Sequence, residues 1–248
     1  MRYAESWLRF SSLVLFLAAW QVAALILQST LLPGPWPVAV RILEEALSGT
    51  LPFHLGITLF RVVISFTIAM LIGTAVGIAM GRWQQLDNFL DGWLMLGLNI
   101  PALVTIILCY IWFGLTDVAA ITAVAINKIP TVIVTVREGA RTVNRELLQV
   151  AQVFRLPRLR TFTRVYLPQL YPFLMAAARS GLSLIWKIVL VVELLGRSNG
   201  IGFQLNVFFQ FFDITGILAY TLVFAGVVLI VESYIIRPLE RRLTVWRL

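Results

Sequence analysis

Charge is scarce in this chain. Only 13% of its 248 residues are Asp, Glu, Lys or Arg, against 60% hydrophobic, and the mean hydropathy is +0.89. A soluble fold of this length needs a polar surface that such a composition cannot supply, so the chain reads as an integral membrane protein. Its one cysteine, Cys109, excludes a disulfide framework or a thiol metal site within the chain. Its one histidine, His54, reads as an exposed and chemically bland residue. No phosphate-binding Gly-x-x-x-x-Gly-Lys-Ser/Thr loop, no His-Glu-x-x-His and no Gly-x-Ser-x-Gly elbow occurs. Neither catalysis nor ATP hydrolysis is therefore expected of this chain alone, and no cofactor or metal is called for. Short alternating strands of the outer-membrane barrel kind are also missing.

What is present is a set of long apolar runs. A helical crossing of the hydrocarbon core takes about 20 apolar residues, and six stretches approach that: Phe10 to Leu27, Val62 to Met80, Trp93 to Phe113, Val118 to Val136, Leu170 to Leu195, and Ile214 to Ile236. The expectation is an all-α integral membrane protein with about six transmembrane helices. The first run exceeds the 7–15 residues of a signal-peptide core, so it reads as a retained helix. Residues 1-58 divide off as an N-terminal membrane helix plus an outer interfacial helix over Val38 to Leu47, with Arg41, Glu44 and Glu45 on its wet side. Residues 59-248 form the core. Gly73, Gly77 and Gly81 place small residues on one face of the second span for close helix packing. Pro101 and Pro130 predict kinks or breaks in the third and fourth spans.

Between Arg137 and Arg164 lies the one strongly basic segment, with Arg137, Arg141, Arg145, Arg155, Arg158, Arg160 and Arg164 opposed only by Glu138 and Glu146. Short cytoplasmic loops retain Lys and Arg, which places this segment and both termini in the cytoplasm and accounts for the basic pI without a nucleic-acid partner. Helical periodicity over Arg145 to Phe154, a break at Leu156-Pro157, and a second short helix over Leu159 to Tyr166 ending at Leu167-Pro168 predict an ordered protrusion rather than a featureless loop. At membrane depth Lys128, Arg179 and Lys187, with Glu193 nearer the outer surface, are candidates to line a path for an anion, because a charge in hydrocarbon is costly unless it faces water or a partner. Their alternative role is packing, with lysines snorkelling to the interface. The aromatic run from Gly196 to Phe212 is too short to span and should lie at the outer surface or fold back toward the path.

Several short stretches resemble the transmembrane permease subunits of ABC importers, in the group associated with nitrate, sulfonate, taurine and bicarbonate uptake. They are Leu32-Pro33 through Pro37, Leu59-Phe60-Arg61-Val62, Ile111-Trp112-Phe113-Gly114, and the segment from Leu148 to Pro168. Gly181-Leu182-Ser183, Val191-Val192-Glu193-Leu194, Asn199-Gly200-Ile201-Gly202 and the basic tail ending Trp246-Arg247 follow. The resemblance makes the loop over 137-168 the segment that couples to an ATPase. The family's signature is an acidic residue, a small pair, a Gly six residues after the acid and Leu-Pro twelve residues further on. It falls on Gln149, Val150-Ala151, Arg155 and Leu167-Pro168, so Gln149 stands where an acid is usual and Arg155 where Gly is usual.

By that resemblance Leu148, Ala151, Phe154 and Leu156 supply apolar docking for the ATPase, and Arg158 and Arg160 orient it. The implied partners are separate ABC ATPase subunits, an extracytoplasmic substrate-binding protein and a second permease subunit, identical or diverged, in a bacterial inner membrane. The implied activity is ATP-driven import of a small organic or inorganic anion by alternating access. An ion-coupled secondary transporter and a non-transporting membrane scaffold are the alternative readings of the same composition.

Overall fold

The computed structural model describes residues 2–27 and 31–244, with the side chains of part of the first helix and of 241–244 left undescribed. The expected basic-tail residues Trp246 and Arg247 lie outside the described residues. Among the described residues all regular structure is helical.

The first helix, α1 (Arg2–Leu27), leads through a Pro-Gly-Pro turn to α2 (Pro35–Leu47), where Pro35 occupies the first turn, a position at which its missing N–H costs nothing. The long α3 (Thr50–Arg82) carries the chain through residues 58 and 59 without a break. After one residue come α4 (Gln84–Asn99) and α5 (Ala102–Phe113), then α6 (Asp117–Arg141), capped at its start by the Thr116 hydroxyl accepting Ala119 N–H at 3.2 Å. The basic segment holds α7 (Arg145–Val153) and α8 (Arg158–Thr161), which passes through a π turn (Phe162–Tyr166) into α9 (Leu167–Gly196). Then follow α10 (Ile201–Gln210), α11 (Ile214–Val231), a second π turn (Glu232–Ile236) and α12 (Arg237–Thr244).

Among the described residues four helical segments are long and apolar enough to cross a membrane: Thr50–Arg82, Asp117–Arg141, Arg158–Gly196 and Ile214–Glu240. The third expected span, Trp93 to Phe113, is instead two helices meeting at 96°. Pro101 accounts for this, because it denies the ladder a donor and holds the preceding Ile100 in an extended conformation at φ −69°, ψ 123°. Counting that bent pair as one span gives five among the described residues, and the first expected span falls on α1 (Arg2–Leu27), whose stretch Val14–Leu27 is apolar. The proline in α6 behaves differently: α6 continues unbroken through Pro130.

Helices α3 and α6 pack face to face along the glycine stripe that the sequence set out. A methyl group added at Gly77 would lie 2.9 Å from both the Ile133 carbonyl oxygen and Val136 Cβ, so the two backbones approach as closely as they do only because the side chain is missing. Behind them, α9 and α5 close a core built from Val62, Ile106, Ala120, Ala123, Ile185, Val189 and their neighbours. The aromatic segment after Gly196 folds as α10 against this core. Phe208 is buried edge-on to Tyr220, while Phe209, Phe211 and Phe212 are exposed.

The α2 helix is not simply wet on its charged side. Glu44 faces outward, but Arg41 turns to Glu45 at 3.2 Å and to Asp213 at 3.5 Å, and Glu45 accepts the Tyr220 hydroxyl at 3.1 Å. These bonds tie α2 to the start of α11.

Candidate functional site

The basic loop is an ordered protrusion, as expected, but its two helices differ in kind. In α7, Asn144 caps the first turn by accepting Glu146 N–H at 2.7 Å, which gives the expected helix a defined start. Its end is a Schellman motif: Leu156 N–H bonds Ala151 O at 3.0 Å and Arg155 N–H bonds Gln152 O at 2.9 Å. The residue between is Arg155, and it takes the left-handed conformation at φ 51°. The turn that the resemblance assigns to glycine is thus formed here by an arginine.

The second helix does not stop at Leu167-Pro168. It runs on as one helical segment from Arg158 to Gly196, because the π turn lets Leu167 N–H reach back five residues to Phe162 O. The π turn just ahead of Pro168 accommodates its missing N–H within this continuous segment. The protrusion is therefore joined rigidly to a membrane-crossing helix.

Side-chain directions on α7 divide the residues expected to dock. Ala151 is buried and Leu148 packs on the cluster of Ala140, Tyr166 and Leu170, so these two fasten α7 to the body. The outward apolar face is Leu147, Val150, Val153 and Phe154, with Val153 80% and Phe154 74% exposed, and Leu159 stands beside it on α8. Leu156 lies at the margin of this face, and Gln149, Arg158 and Arg160 are exposed.

Not all of the loop's arginines are free, as the sequence had implied by pairing them only with Glu138 and Glu146. Asp87, at the start of α4 and 5% exposed, meets Arg137 at 3.2 Å and Arg141 at close range, and Asp91 meets Arg137 at 2.7 Å. Chain distance hid these partners. They fix the end of α6 to α4 just ahead of the protrusion.

At the opposite end of the fold, three of the stretches noted in the sequence converge. Arg61 of α3, 1% exposed, donates to Glu193 Oε1 of α9 at 2.7 Å, to Asp117 Oδ1 of α6 at 2.6 Å and to the Asn199 carbonyl at 2.9 Å. Glu193 is fully buried; its carboxylate also lies 2.9 Å from Thr58 Oγ1 and accepts Gly202 N–H at 2.9 Å. Asp117 further pairs with Arg197 at 3.2 Å, so two cations and two carboxylates neutralise one another. Gly200, at φ 107°, brings its N–H to His54 Nδ1 at 2.9 Å. His54 is thus buried and a hydrogen-bond acceptor, not the exposed bland residue expected, and it carries any ring proton of its neutral form on Nε2, facing Gln204. The cluster clamps the turn between α9 and α10 onto α3 and α6. Each carboxylate oxygen of Glu193 faces at least one donor inside the protein, which suits a structural anchor rather than a surface presented to a solute.

The other three expected path residues are separated by the fold. Arg179 is exposed and ties α9 to Glu232 at 3.1 Å and to Glu240 at 3.3 Å. Lys128 is 2% exposed, lies against Gly181 of α9, and its Nζ has no hydrogen-bond partner among the described residues. Lys187 is exposed on α9 with no ion pair among the described residues, in a stripe with Ser180, Ser183, Val191 and Leu194. This stripe repeats every three or four residues, which is one face of a helix. The sequence pattern points to Lys187 as a path residue but not to Ser180 and Ser183, although their spacing from it is visible.

Comparison with known proteins agrees with this architecture. Residues 65–245 match the model of the family described as binding-protein-dependent transport system inner membrane component. The chain is 30% identical over 93% of its length to the putative aliphatic sulfonates transport permease protein SsuC of Bacillus subtilis (strain 168), covering 84% of that protein. It is also 30% identical to the taurine transport system permease protein TauC of Escherichia coli (strain K12), over 94% of this chain and 86% of that one. Among solved structures, a chain of the MetNI methionine ABC transporter in an inward-facing conformation shares the fold, with TM-score 0.66, 16% identity, and 80% of this chain and 98% of that chain covered. Family membership sets aside the secondary-transporter and scaffold readings: the chain is a member of the binding-protein-dependent transport system inner membrane component family.

Proposed function

We propose that the chain forms the translocation path of an ATP-driven importer for a small oxyanion, a sulfonate in the first instance. The observation that carries this reading is the α9 stripe. Lys187 places an unpaired ammonium, flanked by Ser180 and Ser183, on the outside of a single subunit at membrane depth. A charge there is costly against lipid and inexpensive against water, so this face is best turned inward toward a second permease subunit across a water-filled path. Lys128 packs against Gly181, about 120° around α9 from Lys187, and so lies apart from this stripe. The solutes for which the relatives are named, aliphatic sulfonates and taurine, share the sulfonate group and fit that charge.

ABC ATPase subunits dock on the apolar face of α7 with Leu159, and Arg158 and Arg160 orient them. Because α8 continues into α9, a displacement of the protrusion is transmitted directly to the helix bearing Lys187. ATP is hydrolysed by the ATPase subunits, and a substrate-binding protein delivers the anion at the clamped end. The loop and both termini lie on the cytoplasmic side of a bacterial inner membrane, as the arginine distribution favours.

The test is uptake of radiolabelled taurine, and of a longer alkanesulfonate, in cells or proteoliposomes with the complete transporter. Lys187→Gln should lower uptake at least ten-fold while co-purification with the ATPase is retained. Wild-type uptake from Lys187→Gln would refute the placement of the path.

A further inference from the structure

Between α7 and the membrane-crossing helices lies a cleft of about 1190 Å³, on the side of α7 away from its apolar docking face. Its walls come from the end of α3, the end of α6, α7, α8 and the π turn, and they carry Arg82, Arg141, Arg145 and Arg158 with no Asp or Glu among them. Arg141 is committed to Asp87 and Glu138, but Arg82, Arg145 and Arg158 make no ion pair or hydrogen bond among the described residues. Tyr166, 8% exposed, also lines the cleft, but its hydroxyl is sealed from the cleft surface. Gln149 and Gln152 add side-chain amides to the same walls.

We propose that this cleft is a binding site for a phosphate group, supplied by an anionic phospholipid headgroup or by soluble phosphate. Three unpaired guanidinium groups lining one cleft supply donors for a tetrahedral, multiply charged oxyanion. Guanidinium matches phosphate oxygens in pairs, which favours phosphate over a simple halide. The cleft has room for a headgroup with its glycerol, and the exposed Trp83, next to Arg82, marks the depth at which aromatic residues meet headgroups. A bound headgroup would sit between the coupling protrusion and the spans, touching α3, α6, α7 and the π turn together. It would brace α7 from behind, and anionic lipid would thereby set how stiffly the protrusion transmits motion.

The experiment uses the purified full chain and needs neither the ATPase nor transport, so its outcome is independent of the function proposed above. Native mass spectrometry would count phosphatidylglycerol retained after solubilisation from phosphatidylglycerol/phosphatidylcholine vesicles, with and without millimolar inorganic pyrophosphate as competitor. The wild type should retain phosphatidylglycerol over phosphatidylcholine. A triple Arg82→Gln, Arg145→Gln, Arg158→Gln variant should lose at least ten-fold of that retention, and the triple Arg→Lys variant should keep most of it. Retention displaced by pyrophosphate identifies a shared phosphate site. Binding of pyrophosphate without lipid retention assigns the site to soluble phosphate. Equal retention by the wild type and the Gln variant, or no binding of either probe to the wild type, overturns the proposal. If the Gln variant does not fold, Arg82→Gln alone takes its place, with at least a three-fold loss expected and no loss overturning the site.

Discussion

Replacing Arg61 by Met removes the cation that neutralises Glu193, a carboxylate with no exposure of its own. Thr58 Oγ1 and Gly202 N–H remain as donors to it, but neither carries charge, and no solvent reaches it. Breaking a buried ion pair from one side costs about 3–5 kcal/mol, since the remaining charge is left in a medium of low polarisability. Asp117 suffers less, because it is half-exposed and keeps Arg197 at 3.2 Å. The double variant Arg61→Met, Glu193→Leu removes both charges and leaves mainly Gly202 N–H and the Asn199 carbonyl unsatisfied, at about 1–3 kcal/mol for a buried polar group. The double variant should therefore be more stable than Arg61→Met alone by about 2 kcal/mol, which makes the coupling at least that large. Thermal unfolding of the detergent-solubilised protein, followed by a thiol-reactive dye at the buried Cys109, measures all four corners of the cycle. A double variant as unstable as the sum of the singles would mean that Glu193 is hydrated or neutral in the folded protein, and the clamp as described would be wrong.

Arg155→Gly should stabilise the protrusion by about 1 kcal/mol, because glycine takes the left-handed conformation found there at φ 51° without steric cost. Slower hydrogen exchange of the α7 amides would show it, and unchanged or faster exchange would count against the Schellman geometry. Gly77→Val should cost about 1–3 kcal/mol through overpacking against Ile133 and Val136, whereas Gly56→Ala, where an added methyl meets nothing within 4 Å, should leave melting unchanged. Phe154→Asp, on the outward face of α7, should reduce co-purification with the ATPase at least ten-fold, while Leu148→Asp should instead destabilise the subunit itself. Equal behaviour of these two variants would show that the two faces of α7 are misassigned.

Residue patterns alone were enough for the membrane setting, the helical class, the packing stripe on α3 and the capped helix α7. Each rests on local periodicity or composition, and both survive in any arrangement of the helices. Local signals also located Pro101 as a breakpoint, but not its 96° consequence, and they could not tell it from Pro130, through which α6 runs unbroken. That difference depends on whether neighbouring helices hold the chain straight.

Pairing was decided by tertiary structure throughout. Arg61, Asp117, Glu193 and Asn199 lie up to 138 positions apart along the chain and meet in one clamp, and Asp87 reaches Arg137 and Arg141 across 50 and 54 positions. A charge read from sequence shows its sign and its depth along a helix. Which face it occupies, and whether a counter-charge waits there, is fixed only when the helices pack. For this reason Glu193 and Lys187, alike in sequence as charges on one helix and only six residues apart, become a sealed anchor and an open cation.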